Sequence, residues 1–173
     1  MWNDTDLPLA FLITFRSYGT WLHGDDRGSV NRFRNQYNSR RLPPEKKWMQ
    51  TNTQRLRREI VILTAAQRAC VEEAVHETCE IRQWHLHAMN ARTNHVHTVV
   101  AIGAKKPDVP LNAFKANATR KMREDGCWQS ELSPWADKGS KRYLWNELTW
   151  HERLTTSFTG RAMNYLTLMI EPC

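Results

Sequence analysis

No two cysteines in this chain of 173 residues stand in the C-x-x-C spacing of a structural zinc site, and the four present, Cys70, Cys79, Cys127 and Cys173, are too sparse for a disulfide framework. They read as thiols of a reducing compartment. Long apolar runs are missing as well. The first, Leu7 to Phe15, is interrupted by Pro8, follows no basic stretch and falls far short of the ~20 residues that span a bilayer. Neither an export signal nor a membrane anchor is expected, and the expected location is cytoplasmic. Internal repeats and low-complexity tracts are also lacking, so the length and a 40% hydrophobic content point to one compact domain over residues 1–173.

Cations, by contrast, are plentiful. The net charge of +7 calls for an anionic partner, although nucleic acid, acidic lipid and solubility each account for it. Its distribution says more. Ten cations, Arg27, Arg32, Arg34, Arg40, Arg41, Lys46, Lys47, Arg55, Arg57 and Arg58, face one acid, Glu45, in a single segment, which leaves the rest of the chain at −2. Such a segment is either a solvated loop or a surface that contacts phosphate.

Leu9 to Phe15 is rich in β-branched and aromatic residues and ends at Ser17 and Gly19, which predicts a central strand. From residue 24 to 60 the chain is polar and basic, with Pro43-Pro44, and reads as a long insertion holding a short helix around Gln50 to Glu59. Thr64 and Gln67 form a capping box, and Val71, Ala74, Val75 and Thr78 keep one helical face, which predicts a helix over Ala65 to Arg82. Two strands follow, Gln83 to Asn90 and His95 to Ile102, joined by a short polar turn. Asp108 then caps a helix with Leu111, Phe114, Ala118 and Met122 on one face and Lys115, Arg120, Lys121 and Arg123 on the other. Tyr143 to Trp150 reads as a fourth strand, and Thr159 opens a last helix that Pro172 ends. The expected fold is α+β, a ferredoxin-like βαββαβ order with a four-stranded antiparallel sheet, helices on one face and the other face open, followed by a C-terminal helix.

On a strand, side chains two apart share a face, so His95 and His97 project together while Val96, Thr98, Val100 and Ile102 face the helices. Two adjacent neutral imidazoles make part of a ligand set for a divalent metal, or equally a hydrogen-bonded pair. A hairpin centred near Arg92 would set His87 across from His97 and make it a candidate third ligand or outer partner. The eight tryptophans are mostly expected in the core. Trp21, beside the basic segment, is the first candidate for stacking on an unpaired base, with Trp48 behind it.

Asn94-His-Val-His97 after the strand with His87-Ala88, Thr20-Trp-Leu-His-Gly-Asp-Asp-Arg-Gly28, Gly139-Ser-Lys-Arg-Tyr-Leu-Trp-Asn146 and Ala162-Met-Asn-Tyr165 together resemble the single-tyrosine HUH transposases, most of all the insertion-sequence-type and REP-associated tyrosine transposases. The resemblance runs over nearly the whole chain. It implies a domain that recognises hairpins in single-stranded DNA and cuts beside them with Mg²⁺ or Mn²⁺, with His95 and His97 as metal ligands and Tyr165, on the terminal helix, as nucleophile. It includes homodimers that share the tyrosine helix between subunits and relatives that act as monomers. That family places a glutamine soon after the tyrosine as a further ligand. Here Tyr165-Leu-Thr-Leu-Met-Ile-Glu-Pro-Cys173 has none, and Glu171 is the nearby charged oxygen donor. DNA contact is expected from Trp21, Arg27, Arg32, Arg34, Arg40, Arg41, Lys46, Lys47, Lys115, Arg120, Lys121, Arg123 and Arg142.

A phenol of pKa ~10 is a weak nucleophile at neutral pH, and a cation on the scissile phosphate makes its attack feasible. Three rivals differ in class. An RNA-binding module of the RRM type shares the element order but needs aromatic residues on the third strand, where this chain has His-Val-His-Thr-Val-Val. A domesticated relative would bind hairpin DNA without cutting. A zinc hydrolase using His85, His87, His95 and His97 would activate water and form no adduct.

Overall fold

The computed structural model describes residues 7–29 and 40–146. In chain order it forms β1 (Ala10–Ser17), α1 (Lys46–Gln54), α2 (Ala65–Arg82), β2 (His85–Ala91), β3 (His95–Ala101), α3 (Asp108–Glu124) and β4 (Trp135–Leu144). The strands make one antiparallel sheet in the order β2-β3-β1-β4. With α1 set aside as part of the insertion, this is the ferredoxin-like arrangement, and β1 and β3 are its two central strands. The predicted terminal helix after Thr159 lies outside the described residues.

Alternation on the central strands builds two faces. Phe11, Ile13 and Phe15 of β1 join Val96 and Val100 of β3, Val71 and Val75 of α2, and Phe114 and Met122 of α3 in the main core. Each large side chain removed from water there contributes about 1.5–3 kcal/mol. The other face was expected to be open, and one end of it is not: Ala10, Leu12, Val99 and Leu144 form a second buried cluster. Both faces of β1 are therefore apolar as far as Leu12. Along β1, polar residues appear on this face only at its other end, with Thr14 and Arg16.

The α2 helix follows its sequence closely. Thr64 Oγ1 accepts from the Gln67 amide at 3.2 Å and Gln67 Oε1 accepts from the Thr64 amide at 2.9 Å. The helix ends where Gln83 turns left-handed at φ 54° and donates its N–H back into the last turn. In α3 the buried stripe Leu111, Phe114, Ala118 and Met122 is the predicted one. Its N-cap is Pro107, however, and Asp108 is the first helical residue, its carboxylate taking the Lys141 ammonium of β4.

Two elements lie elsewhere than expected. The insertion helix α1 begins four residues earlier than predicted and buries no side chain, so no apolar period marked its ends. β4 covers Trp135–Leu144 rather than starting at Tyr143. It is an edge strand that carries Asp137, Lys138, Lys141 and Arg142, charges of the kind that keep edges from pairing with other chains, and it has Gly139 in its middle. That glycine sits where α3 presses on the sheet: a Cβ there would come within 2.7 Å of Leu111 Cδ1 and 2.8 Å of the Thr14 carbonyl oxygen. Segments within the insertion are pinned as well. Ser29 and Leu42 exchange backbone hydrogen bonds at 3.2 and 2.7 Å, and Gly24, at φ +94°, lies so close to α1 that a Cβ would meet the Glu45 oxygen at 2.4 Å.

Candidate nucleic-acid and metal site

β3 places His95 and His97 on the sheet face opposite the helices, with ring centroids 4.6 Å apart and planes crossed at 71°. The neighbouring strand supplies their cross-strand partners: Thr14 stands opposite His97 and Arg16 opposite His95. His97 Nδ1 is 2.7 Å from Thr14 Oγ1, and His95 Nδ1 is 2.6 Å from Asn94 Oδ1. An amide oxygen only accepts, so Nδ1 of His95 carries the proton and its Nε2 keeps the lone pair. Anchoring one ring nitrogen while the other stays basic is how metal-binding imidazoles are usually held.

Both rings are neutral at pH 7. Burial is the main cause that pushes His95 down to about 4, followed by the positive charges of Arg92, Arg16 and Arg27. For His97 burial again comes first, then His95, Arg92 and Arg16, and the value is also about 4. As a donor set, two neutral imidazoles fit a divalent cation in part. Among the described residues no group of three or more His, Cys, Asp or Glu side chains is gathered to complete it. Glu171 and Tyr165 lie outside the described residues.

The expected third imidazole is not where the hairpin reading set it. Asn90, not His87, stands opposite His97, because the hairpin is centred between Thr93 and Asn94 rather than at Arg92. The turn is fixed there from outside: the Leu63 amide donates to the Thr93 oxygen and the Ser17 amide to the Asn94 oxygen. His87 falls at an irregularity of β2 between Leu86 and Ala88 and packs against His85, with centroids 4.4 Å apart. Four histidines thus form two separate pairs instead of one cluster.

Beside the imidazole pair lies a second constellation that the sequence reading found only in part. The Arg16 guanidinium stacks on the indole of Trp21 at 3.3 Å, and those of Arg27 and Arg41 lie 5.0 and 5.4 Å from the same ring. Trp21 is fixed by its Nε1–H, which donates to the Gly28 oxygen at 2.8 Å. Its ring therefore serves as a platform for cations. Arg27 grips Asp25 with two contacts, at 2.7 and 2.6 Å, and the Thr20 oxygen at 3.0 Å. That grip is the main reason the Asp25 carboxyl is held down to about 2. Arg16 is lowered to about 10, first by burial and then by Arg27 and Arg41, and remains charged at neutral pH. Arg16, Trp21, Leu22, His23, Ser29 and Asn52 line a cleft of about 260 Å³. His23 lies flat against Trp48, 5.1 Å away, which occupies one face of that indole as well.

The remaining candidates divide by position. Arg40, Lys46 and Lys47 of the insertion and Arg142 of β4 are exposed, and Arg32 and Arg34 lie outside the described residues. On α3, the cations belong to the helix layer on the far side of the sheet. Lys115 donates to the oxygens of Ala136, Asp137 and Lys138, Arg120 pairs with Glu77 and Glu124, Lys121 with Glu73, and Arg123 donates to the oxygens of Ser130 and Glu131. These four hold the helix layer to itself and to β4, away from the histidines. Thr14, Arg16, Asn90 and Asn94 were not singled out from sequence. For Thr14 and Arg16 the signal was available, since both have the parity opposite to Phe11, Ile13 and Phe15 on a strand whose apolar composition marks it as central.

No protein-family model matches the chain, and no curated protein matches it. Among solved structures, that of the REP-associated tyrosine transposase bound to a REP hairpin aligns with 88% of this chain and 68% of its own, at 11% identity and a TM-score of 0.48. No helix among the described residues is long and apolar enough to cross a membrane.

Proposed function

We propose that this chain is a single-tyrosine HUH transposase, a metal-dependent enzyme that cleaves and rejoins single-stranded DNA beside hairpins. The observation that carries the reading is the His95–His97 pair: two neutral imidazoles on one face of a central strand, each with Nδ1 engaged, one by Thr14 and one by Asn94. The sequence resemblance supplies the rest, with Tyr165 as nucleophile. Bound Mg²⁺ or Mn²⁺ would be held by His95 and His97, with Glu171 a candidate further ligand, and would polarise the scissile phosphate and offset its developing charge.

In the reaction the Tyr165 phenol loses its proton and its oxygen bonds to phosphorus as the bond from phosphorus to the 3′-oxygen breaks. The leaving oxygen takes up a proton, giving a 5′-phosphotyrosine and a free 3′-hydroxyl. One phosphoester replaces another, so the 3′-hydroxyl of a second strand can reverse the step and join ends without ATP. Lowered imidazole basicity suits this role, because neither ring competes for the proton at neutral pH.

The test is a labelled hairpin oligonucleotide with single-stranded flanks, incubated with the chain and Mg²⁺ or Mn²⁺ and run on a denaturing gel. Label is expected to travel with protein and to be lost in Tyr165→Phe, His95→Ala and His97→Ala. A second reading has one observation in its favour: the residues after Tyr165 include no glutamine, where the family places a metal ligand. On that reading the chain binds the hairpin and yields no adduct with either metal.

A further inference from the structure

We propose that Arg16 is a phosphate-binding residue, its guanidinium taking one phosphodiester of the DNA strand that runs past His95; this rests on the DNA-processing reading above. Arg16 and His95 are partners in the β1–β3 register. Such partners have Cβ atoms about 4.5–5.5 Å apart on the same face of the sheet. Whatever anion lies over the histidine pair has this guanidinium as its neighbour.

Three features mark Arg16 as built for an anion that the described residues do not provide. First, it is half-buried, yet no carboxylate or carbonyl among the described residues accepts from its five N–H groups. Arginines nearby are each engaged: Arg27 with Asp25 and Thr20, Arg41 with the Arg27 oxygen, and Arg58 with the Ser133 oxygen. Partly buried guanidinium groups are ordinarily hydrogen-bonded, since lost hydration is otherwise uncompensated. Second, the charges around it repel it. Three guanidinium groups share the Trp21 ring, and Asp25, the nearest acid, is already gripped by Arg27. An incoming phosphate relieves that repulsion. Third, it is oriented in advance. Stacking on an indole that is itself tied to Gly28 fixes the guanidinium plane and leaves its in-plane donors for a bidentate contact with phosphate oxygens. The cleft it lines, about 260 Å³ with Ser29, His23 and Asn52 on the walls, has room for a phosphate and the adjoining sugar.

The experiment uses the full chain with Tyr165→Phe, in Mg²⁺, so that binding is read without cleavage. Affinity for a hairpin oligonucleotide with single-stranded flanks is measured by fluorescence anisotropy against salt, with each flank linkage replaced in turn by a neutral methylphosphonate. With Arg16 present, one linkage is expected to cost about tenfold in affinity when neutralised. Arg16→Gln should lose about the same, reduce the log–log salt slope by roughly 0.7 and become indifferent to that linkage. Arg16→Lys should restore the slope but recover only part of the affinity, because an ammonium lacks the fork. An Arg16→Gln chain that still discriminates that linkage, or that loses equally at every linkage together with its thermal stability, overturns the assignment and leaves Arg16 a packing residue. Binding unaffected by Arg16→Gln defeats this inference alone, whereas a parent chain that binds no strand at all defeats the DNA reading and the inference with it.

Discussion

At the scale of single residues, the neutral histidines set a pH dependence. His87, His95 and His97 all sit near 4, each chiefly through burial, against 6.5 for an unperturbed imidazole. Between those values the unfolded chain binds more protons than the folded one, so stability rises with pH there and is lost as pH falls from 6.5 toward 4. The Asp25 carboxyl adds nothing in that window, since its value is depressed from 3.8 to about 2 and its contribution fades only below 3.8. Urea midpoints measured from pH 7 to pH 4.5 should therefore fall, and His87→Asn should reduce the fall. A flat profile would show that these imidazoles are as solvated in the fold as outside it. The cysteines give the opposite limb: Cys70 and Cys79 are pushed up to about 12, mainly by burial, so their thiols stay protonated in the fold and stability declines as pH rises above about 9.

At the scale of elements, the seating of α3 on the sheet reaches the site directly. The same spot that leaves no room for a Cβ at Gly139 is lined by Leu111 of α3 and by the backbone of Thr14, whose hydroxyl anchors His97. Gly139→Ala is expected to destabilise the chain by about 1–3 kcal/mol, the usual cost of overpacking, read as a lower urea midpoint. No loss would mean that α3 and β1 lie further apart than described. Which elements could be read from sequence follows from what holds them. α2 was legible to the residue because a capping box and an unbroken apolar face are both local signals. β4 was missed by about eight residues, since an edge strand whose middle, Asp137 to Arg142, is charged or small carries no apolar period and its glycine answers a tertiary contact. The hairpin register was also out of reach: Leu63 and Ser17, distant in sequence, decide where its turn sits. That shift of centre is what removed His87 from the neighbourhood of His97. The pair itself needed only the two-residue repeat of a strand, whereas Arg16 and Thr14 became part of the site through β1–β3 pairing.

For the whole molecule, charge is divided between the two sides of the sheet. On the helix side the cations of α3 meet acids of α2 and α3, or backbone oxygens of the segment that follows α3. On the histidine side Arg16, Arg27 and Arg41 gather about the Trp21 ring, with Asp25 paired to Arg27, next to an insertion that is net basic. Attraction for an anionic partner is accordingly expected to be one-sided. Because Ser29 and Leu42 pair directly, the segment between them can be replaced by a short turn that removes Arg32, Arg34, Arg40 and Arg41. The salt slope of single-strand binding should then drop by up to roughly 0.7 for each lost phosphate contact, while Arg120→Ala with Lys121→Ala should leave it unchanged. Equal losses from both changes would contradict a one-sided surface.

The proposed chemistry passes through a covalent bond between DNA and one tyrosine. It is tested most directly by incubating the chain with a hairpin oligonucleotide and Mn²⁺, digesting with trypsin and nuclease, and weighing the peptides. Nucleotide mass is expected on the peptide that follows Arg161, in which Tyr165 is the sole tyrosine. Nucleotide on a peptide carrying Tyr18, Tyr37 or Tyr143, or cleaved DNA with no modified peptide at all, would contradict it.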